Sequence, residues 1–120
     1  MGINVEEGLE NLNIMRITGL LKKSDLDEVQ AAMAKKLADD PQLRIKLLII
    51  VEDFKGWEGH VNWGDMSFYI EYGDRIDKIA LVADPKREKE LMMFLGAGIR
   101  PVPLKYFPPD QIDQARMWLV

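Results

Sequence analysis

Serine, threonine, cysteine and histidine carry most nucleophilic and acid–base chemistry, and this chain offers only Ser24, Ser67, Thr18 and His60, with no cysteine at all. Cysteine nucleophiles, thiolate metal sites, iron–sulfur clusters and disulfides are therefore excluded, and few nucleophile–base pairings can be assembled. Glu52 and Asp53 resemble a pair of catalytic carboxylates, yet neighbours on a strand point to opposite faces and do not share a substrate. Capping of the next turn is the expectation for them. His60 with Glu58 and Asp53 could approach a metal, but one imidazole plus carboxylates matches no established ligand spacing, and a surface or capping histidine is the plainer reading. Gly96-Ala97-Gly98 is no dinucleotide fingerprint, because it ends a helix where the fingerprint must follow a strand and open one. Gly56-Trp57-Glu58-Gly59 has the bare GxxG spacing of a phosphate-clamping loop, but its acidic residue would repel the phosphate. The inventory favours binding over catalysis and calls for no metal, cofactor or nucleic acid.

The elements that must position these residues belong to a chain of 120 residues and 13.8 kDa, 48% hydrophobic and 30% charged, which suits one domain over residues 1–120. Sixteen Lys and Arg against twenty Asp and Glu leave a net charge of −4, which disfavours broad attraction to nucleic-acid phosphates. Met1-Gly2-Ile3-Asn4-Val5-Glu6-Glu7 lacks the basic start and apolar stretch of a signal peptide, and no apolar run reaches bilayer length. The expected location is cytoplasmic, with any membrane contact peripheral and on the inner face.

Ile3–Glu7 and Asn13–Gly19 each mix β-branched and polar residues at short spacing and predict a hairpin. Ser24 stands where a helix N-cap belongs. Asp25, Asp27 and Glu28 then load the first turn, Leu26, Val29, Met33 and Leu37 repeat at helical spacing, and Asp39-Asp40-Pro41 stops the helix. Ile45–Val51 and Ile79–Ala83 are nearly continuous apolar runs, as strands covered on both faces are, and predict a parallel βαβ unit. Asp84 caps a helix begun by Pro85 and ended by Gly96 and Gly98. Pro101–Phe107 fits only an edge strand, and Asp110 is the expected cap of a last helix with Ile112, Ala115 and Leu119 on one face. The order is β-β-α-β-α-β-α-β-α, an α/β fold.

Between the two buried strands, residues 52–72 begin at the carboxyl end of a central strand, where open α/β sheets usually bind ligands. Read as a helix from about His60 to Tyr72, the segment carries Trp63, Met66 and Ile70 on one stripe and Val61, Phe68, Tyr69 and Tyr72 around the rest, more apolar surface than one buried face absorbs. Gly56, Gly59 and Gly64 weaken it locally, which suits a movable lid. Leu91-Met92-Met93-Phe94-Leu95 likewise wraps around more than one helix face. Phe54, Trp57, Val61, Trp63, Met66, Tyr69, Met92, Met93 and Phe94 are the expected lining of an apolar or lipid-like ligand site. Lys86, Arg87 and Lys89 sit where a helix dipole disfavours cations, which suits contact with anionic headgroups. The same surface would also serve a protein partner or a homodimer.

The chain resembles the SpoIIAA-like family, a branch related to the STAS domains of anti-sigma-factor antagonists. The resemblance rests on Ile3-Asn4-Val5-Glu6-Glu7-Gly8, the strand running into Glu52-Asp53-Phe54-Lys55-Gly56-Trp57, and Lys105-Tyr106-Phe107-Pro108 followed by Ala115-Arg116-Met117-Trp118-Leu119. It implies a mixed sheet of four or five strands with helices, a non-catalytic role and, in this branch, an apolar ligand or membrane association with open and closed helix positions. A regulatory, protein-interaction module without the phosphorylatable serine is the alternative reading. STAS antagonists carry a phosphorylatable serine in an Asp-x-Ser-Gly pattern. Here Asp53-Phe54-Lys55-Gly56 places Lys55 at that position, so the phospho-switch is absent.

Overall fold

A computed structural model of the protein describes residues 2–63, 67–95 and 102–120. β1 (Gly2–Glu7) and β2 (Leu12–Leu21) pair antiparallel around a 3-10 turn at Leu9–Asn11. β3 (Ile45–Trp57), β4 (Ile76–Val82) and β5 (Leu104–Phe107) then add in sequence order, each parallel to its predecessor, giving a five-stranded sheet ordered β1-β2-β3-β4-β5. The connections are α1 (Lys23–Asp39), α2 (Ser67–Tyr72) and α3 (Glu88–Phe94), and α4 (Ile112–Leu119) closes the chain. The order β-β-α-β-α-β-α-β-α read from the sequence is the observed one.

Parallel strands added in one direction through right-handed crossovers send every connecting helix to the same face. Met33 and Leu37 of α1, Phe68 and Tyr72 of α2 and Leu91 of α3 accordingly pack with Met15, Ile17, Leu47, Ile49, Ile79 and Leu81. Among the described residues α4 alone covers the opposite face, laying Ala115 and Leu119 on Ile14, Leu48, Ile50, Ala80, Val82 and Phe107. Where α4 does not reach, that face is polar. Arg16 lies between Glu6 at 3.8 Å and Glu52 at 3.6 Å.

Three local expectations need correction. Ser24 does not cap α1: Lys22 holds the cap position without a side-chain bond, and the Glu58 carboxylate accepts the Lys23 N–H at 3.0 Å instead. Asp110 lies inside a 3-10 turn, Pro109–Gln111, that leads into α4. Asp84 does cap, accepting from the Lys86 N–H at 2.9 Å, but Pro85–Arg87 is a separate 3-10 turn before α3, so Lys86 and Arg87 lie outside the α-helix. Gly64, Gly96, Gly98 and Pro101 lie outside the described residues.

Candidate functional site

β3 outruns β4 on one side and carries the site on its last four residues. Thr18 pairs with Glu52, Gly19 with Phe54, Leu20 with Gly56 and Leu21 with Trp57, so Asp53 and Lys55 are extra residues without partners. These are two successive β-bulges, and Asp53 and Gly56 take positive φ of 49° and 111° to make them. Strand alternation alone would turn Phe54 away from the helices. The first bulge reverses its direction and the second restores the phase, so Phe54 and Trp57 both pack against the helix-side core.

There the aromatic rings lock together. Trp57 meets Phe54 at 5.4 Å, Trp63 at 5.3 Å and Phe94 at 4.7 Å between centroids, and Trp63 meets Phe94 at 6.0 Å. Most of these contacts are edge-to-face, an arrangement favoured by the ring quadrupoles. The Trp57 indole N–H donates to Glu90 Oε2 at 2.8 Å, Arg87 donates to Glu90 Oε1 at 2.9 Å, and the Arg87 guanidinium stacks 5.1 Å over Phe54. The bonds from Trp57 and Arg87 hold the Glu90 carboxyl below the usual glutamate range. Glu58 ties the other side, with its N–H donating to Leu21 O at 2.9 Å and its own carbonyl accepting from the Trp63 indole at 2.9 Å.

Two predictions follow from these bonds. Removing the Glu58 carboxylate in Glu58→Ala orphans an N–H at the start of α1 and costs about 1 kcal/mol, read from chemical denaturation. A carboxyl whose folded pKa is depressed stabilises above its unfolded pKa and loses that contribution as pH falls through the folded one. The native protein is therefore more stable than Glu90→Gln at neutral pH. Thermal melts across an acid series show the gap closing below the ordinary glutamate range.

The expected ligand residues divide into two groups. Tyr69 and Phe94 line a hollow between the sheet and α1, α2 and α3, walled by Met15, Leu21, Leu81 and Leu91 among others. Its free volume is only about 30 Å³, roughly the share of one water molecule. Phe54, Trp57, Trp63 and Met92 are half-buried against the core beside it, without lining it. Val61 and Met93 face outward, Met93 at 72% exposure, and Ile70, which the ligand reading left out, is the most exposed of the group at 82%. Met66 lies outside the described residues. Of the three cations read as a headgroup contact, Lys86 and Lys89 are exposed, while Arg87 is turned inward by Glu90 and Phe54.

The helix expected from about His60 is shorter than read: residues 58–63 are not helical, His60 has a left-handed φ of 62°, and α2 covers only Ser67–Tyr72. Among the described residues no three of His, Asp and Glu gather closely enough to hold a metal ion. Lys55, which the sequence resemblance sets at the antagonists' serine, sits in a bulged strand. Sequence reasoning missed the Arg87–Glu90–Trp57 network. Its one local signal was the i, i+3 spacing of Arg87 and Glu90.

A SpoIIAA-like family model matches residues 13–120, and the chain belongs to the SpoIIAA-like family. Among solved structures it is similar to an uncharacterized protein of the DUF3478 family from Shewanella loihica PV-4, described as having a SpoIIAA-like fold. The two are 18% identical with a TM-score of 0.74, and the match covers 98% of this chain and 92% of that one. It is also similar to the anti-sigma factor antagonist SpoIIAA in its unphosphorylated form, at 8% identity and a TM-score of 0.62, covering 98% and 99% of the two chains. At these identities the likeness is one of fold. No curated protein matches.

Proposed function

We propose that this protein is a non-catalytic regulatory module that binds another protein through the outer surfaces of α2 and α3. The observation that carries this reading is how the site's apolar side chains are used. The rings at the end of β3 fill one another's edges, the hollow beneath has room for about one water, and Ile70 and Met93 stand 82% and 72% exposed on the helices that wall it. A ligand site needs several hundred Å³, whereas a binding surface needs anchors that project. The SpoIIAA-like fold supports the same role, since one neighbour of this fold is by name an antagonist of an anti-sigma factor. Lys55 in place of a phosphorylatable serine means that the interaction runs without that switch.

The test is affinity capture with the native chain and with Ile70→Lys/Met93→Lys as paired baits, with quantification by mass spectrometry. Both positions are exposed, so the double variant melts within a few degrees of the native chain. The expected result is one protein enriched on the native bait and lost from the variant, and equal capture by both baits contradicts the assignment.

A second reading, an apolar or lipid-like ligand beneath a movable α2, draws on the lining of the hollow, which is apolar apart from Gln30 and the Tyr69 hydroxyl. Opening it would require α2, six residues long, to swing Phe68 and Tyr69 away from the hollow. In its membrane form, Lys86 and Lys89 would draw the protein to anionic vesicles in a salt-sensitive manner. Co-sedimentation equal on neutral and anionic vesicles removes that form.

A further inference from the structure

The two edges of the sheet are treated differently. β5 has four residues, follows Pro103 and precedes Pro108 and Pro109, which withhold backbone donors and blunt that edge. β1 has six residues, no proline and no lysine, and an uninterrupted register with β2 from Gly2–Thr18 to Glu7–Asn13. One whole side of its backbone is open to another strand. Between β1 and α1 lies a groove of about 500 Å³, with Ile3 and Val5 on the strand side and Val29 and Met33 on the helix side. Ile3 and Val5 pack on the main core yet are only partly buried, so that core reaches the edge unfinished.

We infer that β1 pairs antiparallel with β1 of a second copy of this chain about a two-fold axis at Asn4, joining two sheets into one of ten strands.

The register follows from the side chains. Antiparallel self-pairing keeps the core faces together only when paired residue numbers sum to an even value, because a one-residue slip turns every side chain over. A sum of 8 sets Ile3 against Val5 of the second copy twice on the core side, Asn4 against Asn4 at the axis, and Glu6 against Gly2. No like charges then meet. A sum of 10 buries Glu7 against Ile3, and a sum of 6 pairs only three residues.

Charge on α1 agrees. The Asp25 carboxylate lies beside Gly2, with Oδ2 2.9 Å from where a Cβ would stand, and Lys36 binds Glu7, so α1 runs in the same direction as β1. Its groove side carries Asp25 and Glu28 at the start and Lys36, which is paired with Glu7 of β1, at the end. Antiparallel pairing brings Asp25 and Glu28 of one copy toward Lys36 of the other, and the two helix dipoles oppose. This surface is separate from the outer faces of α2 and α3, so the inference stands or falls apart from the proposed function.

The chain has no cysteine, so single cysteines report the register cleanly. Light scattering behind size exclusion is expected to give twice the 13.8 kDa chain mass. Under mild oxidation Asn4→Cys is expected to cross-link nearly completely, since residues directly opposite across an antiparallel pair lie ~4.5–5.5 Å apart between Cα atoms, within disulfide reach. Glu6→Cys is expected to stay uncross-linked, its counterpart lying roughly 14 Å along the strand. Both positions are exposed, so neither variant threatens folding. A native chain that stays monomeric at all concentrations, whether the edge is bare or taken by another protein's strand, overturns the inference. So does Glu6→Cys cross-linking as fast as Asn4→Cys.

Discussion

Trp57→Ala lowers stability by about 3 kcal/mol, the lower end of the range for a truncated core tryptophan, because Trp57 is only half-buried. At this chain length that is a drop of roughly 12 °C in melting temperature. The loss has two parts. The ring is the hub that Phe54, Trp63 and Phe94 all touch, so its removal leaves three aromatic edges facing a void. Its N–H is also one of two donors to Glu90, and without it the carboxylate keeps only Arg87. Trp57→Phe separates the parts, since it retains most of the packing and should cost about 1 kcal/mol. Thermal melts of the two variants check this, and equal losses would mean that the hydrogen bond, and not the packing, dominates.

Leu81→Ala has the larger effect, about 4 kcal/mol, against total stabilities of ~5–15 kcal/mol for domains of this kind. Leu81 is wholly buried in β4 and forms part of the wall of the small hollow. Strands on either side fix the backbone, so the site cannot collapse, and the deleted carbons add their volume to space already present. Apolar cavities of ~150 Å³ take up benzene or xenon. Benzene is therefore expected to raise the melting temperature of Leu81→Ala by mass action and to leave the native chain unmoved. A rise of equal size in the native protein would mean that the hollow already opens to ligands. Leu81→Val, costing about 1 kcal/mol, serves if the alanine variant fails to fold.

The architecture was legible where one physical signal dominated. Ile45–Val51 reads as a strand buried on both faces because helices and α4 cover it from opposite sides. α1 was legible from Leu26, Met33 and Leu37 and from Asp40-Pro41 beyond its end. Where propensity met tertiary demand, the sequence misled. Ser24 is a good cap by type, yet the Glu58 carboxylate, thirty-five residues from Lys23, takes that place. The double bulge had no readable signal apart from Gly56, because Asp53 adopts a left-handed backbone without being glycine. This bears on the site, since only the bulge brings Phe54 to the helix side. The segment around Trp63 read as helical from its apolar content. Its indole instead caps the Glu58 carbonyl, and an extended turn lets one ring cover Trp57 and Phe94 together.

Native mass spectrometry of freshly purified protein, followed by solvent extraction, tests most directly whether the aromatic end of β3 is filled by its own rings. The account predicts particles whose masses are made up of polypeptide alone and an extract with no hydrophobic compound above the blank. A lipid-sized adduct that travels with the chain, and that the solvent then removes, contradicts it.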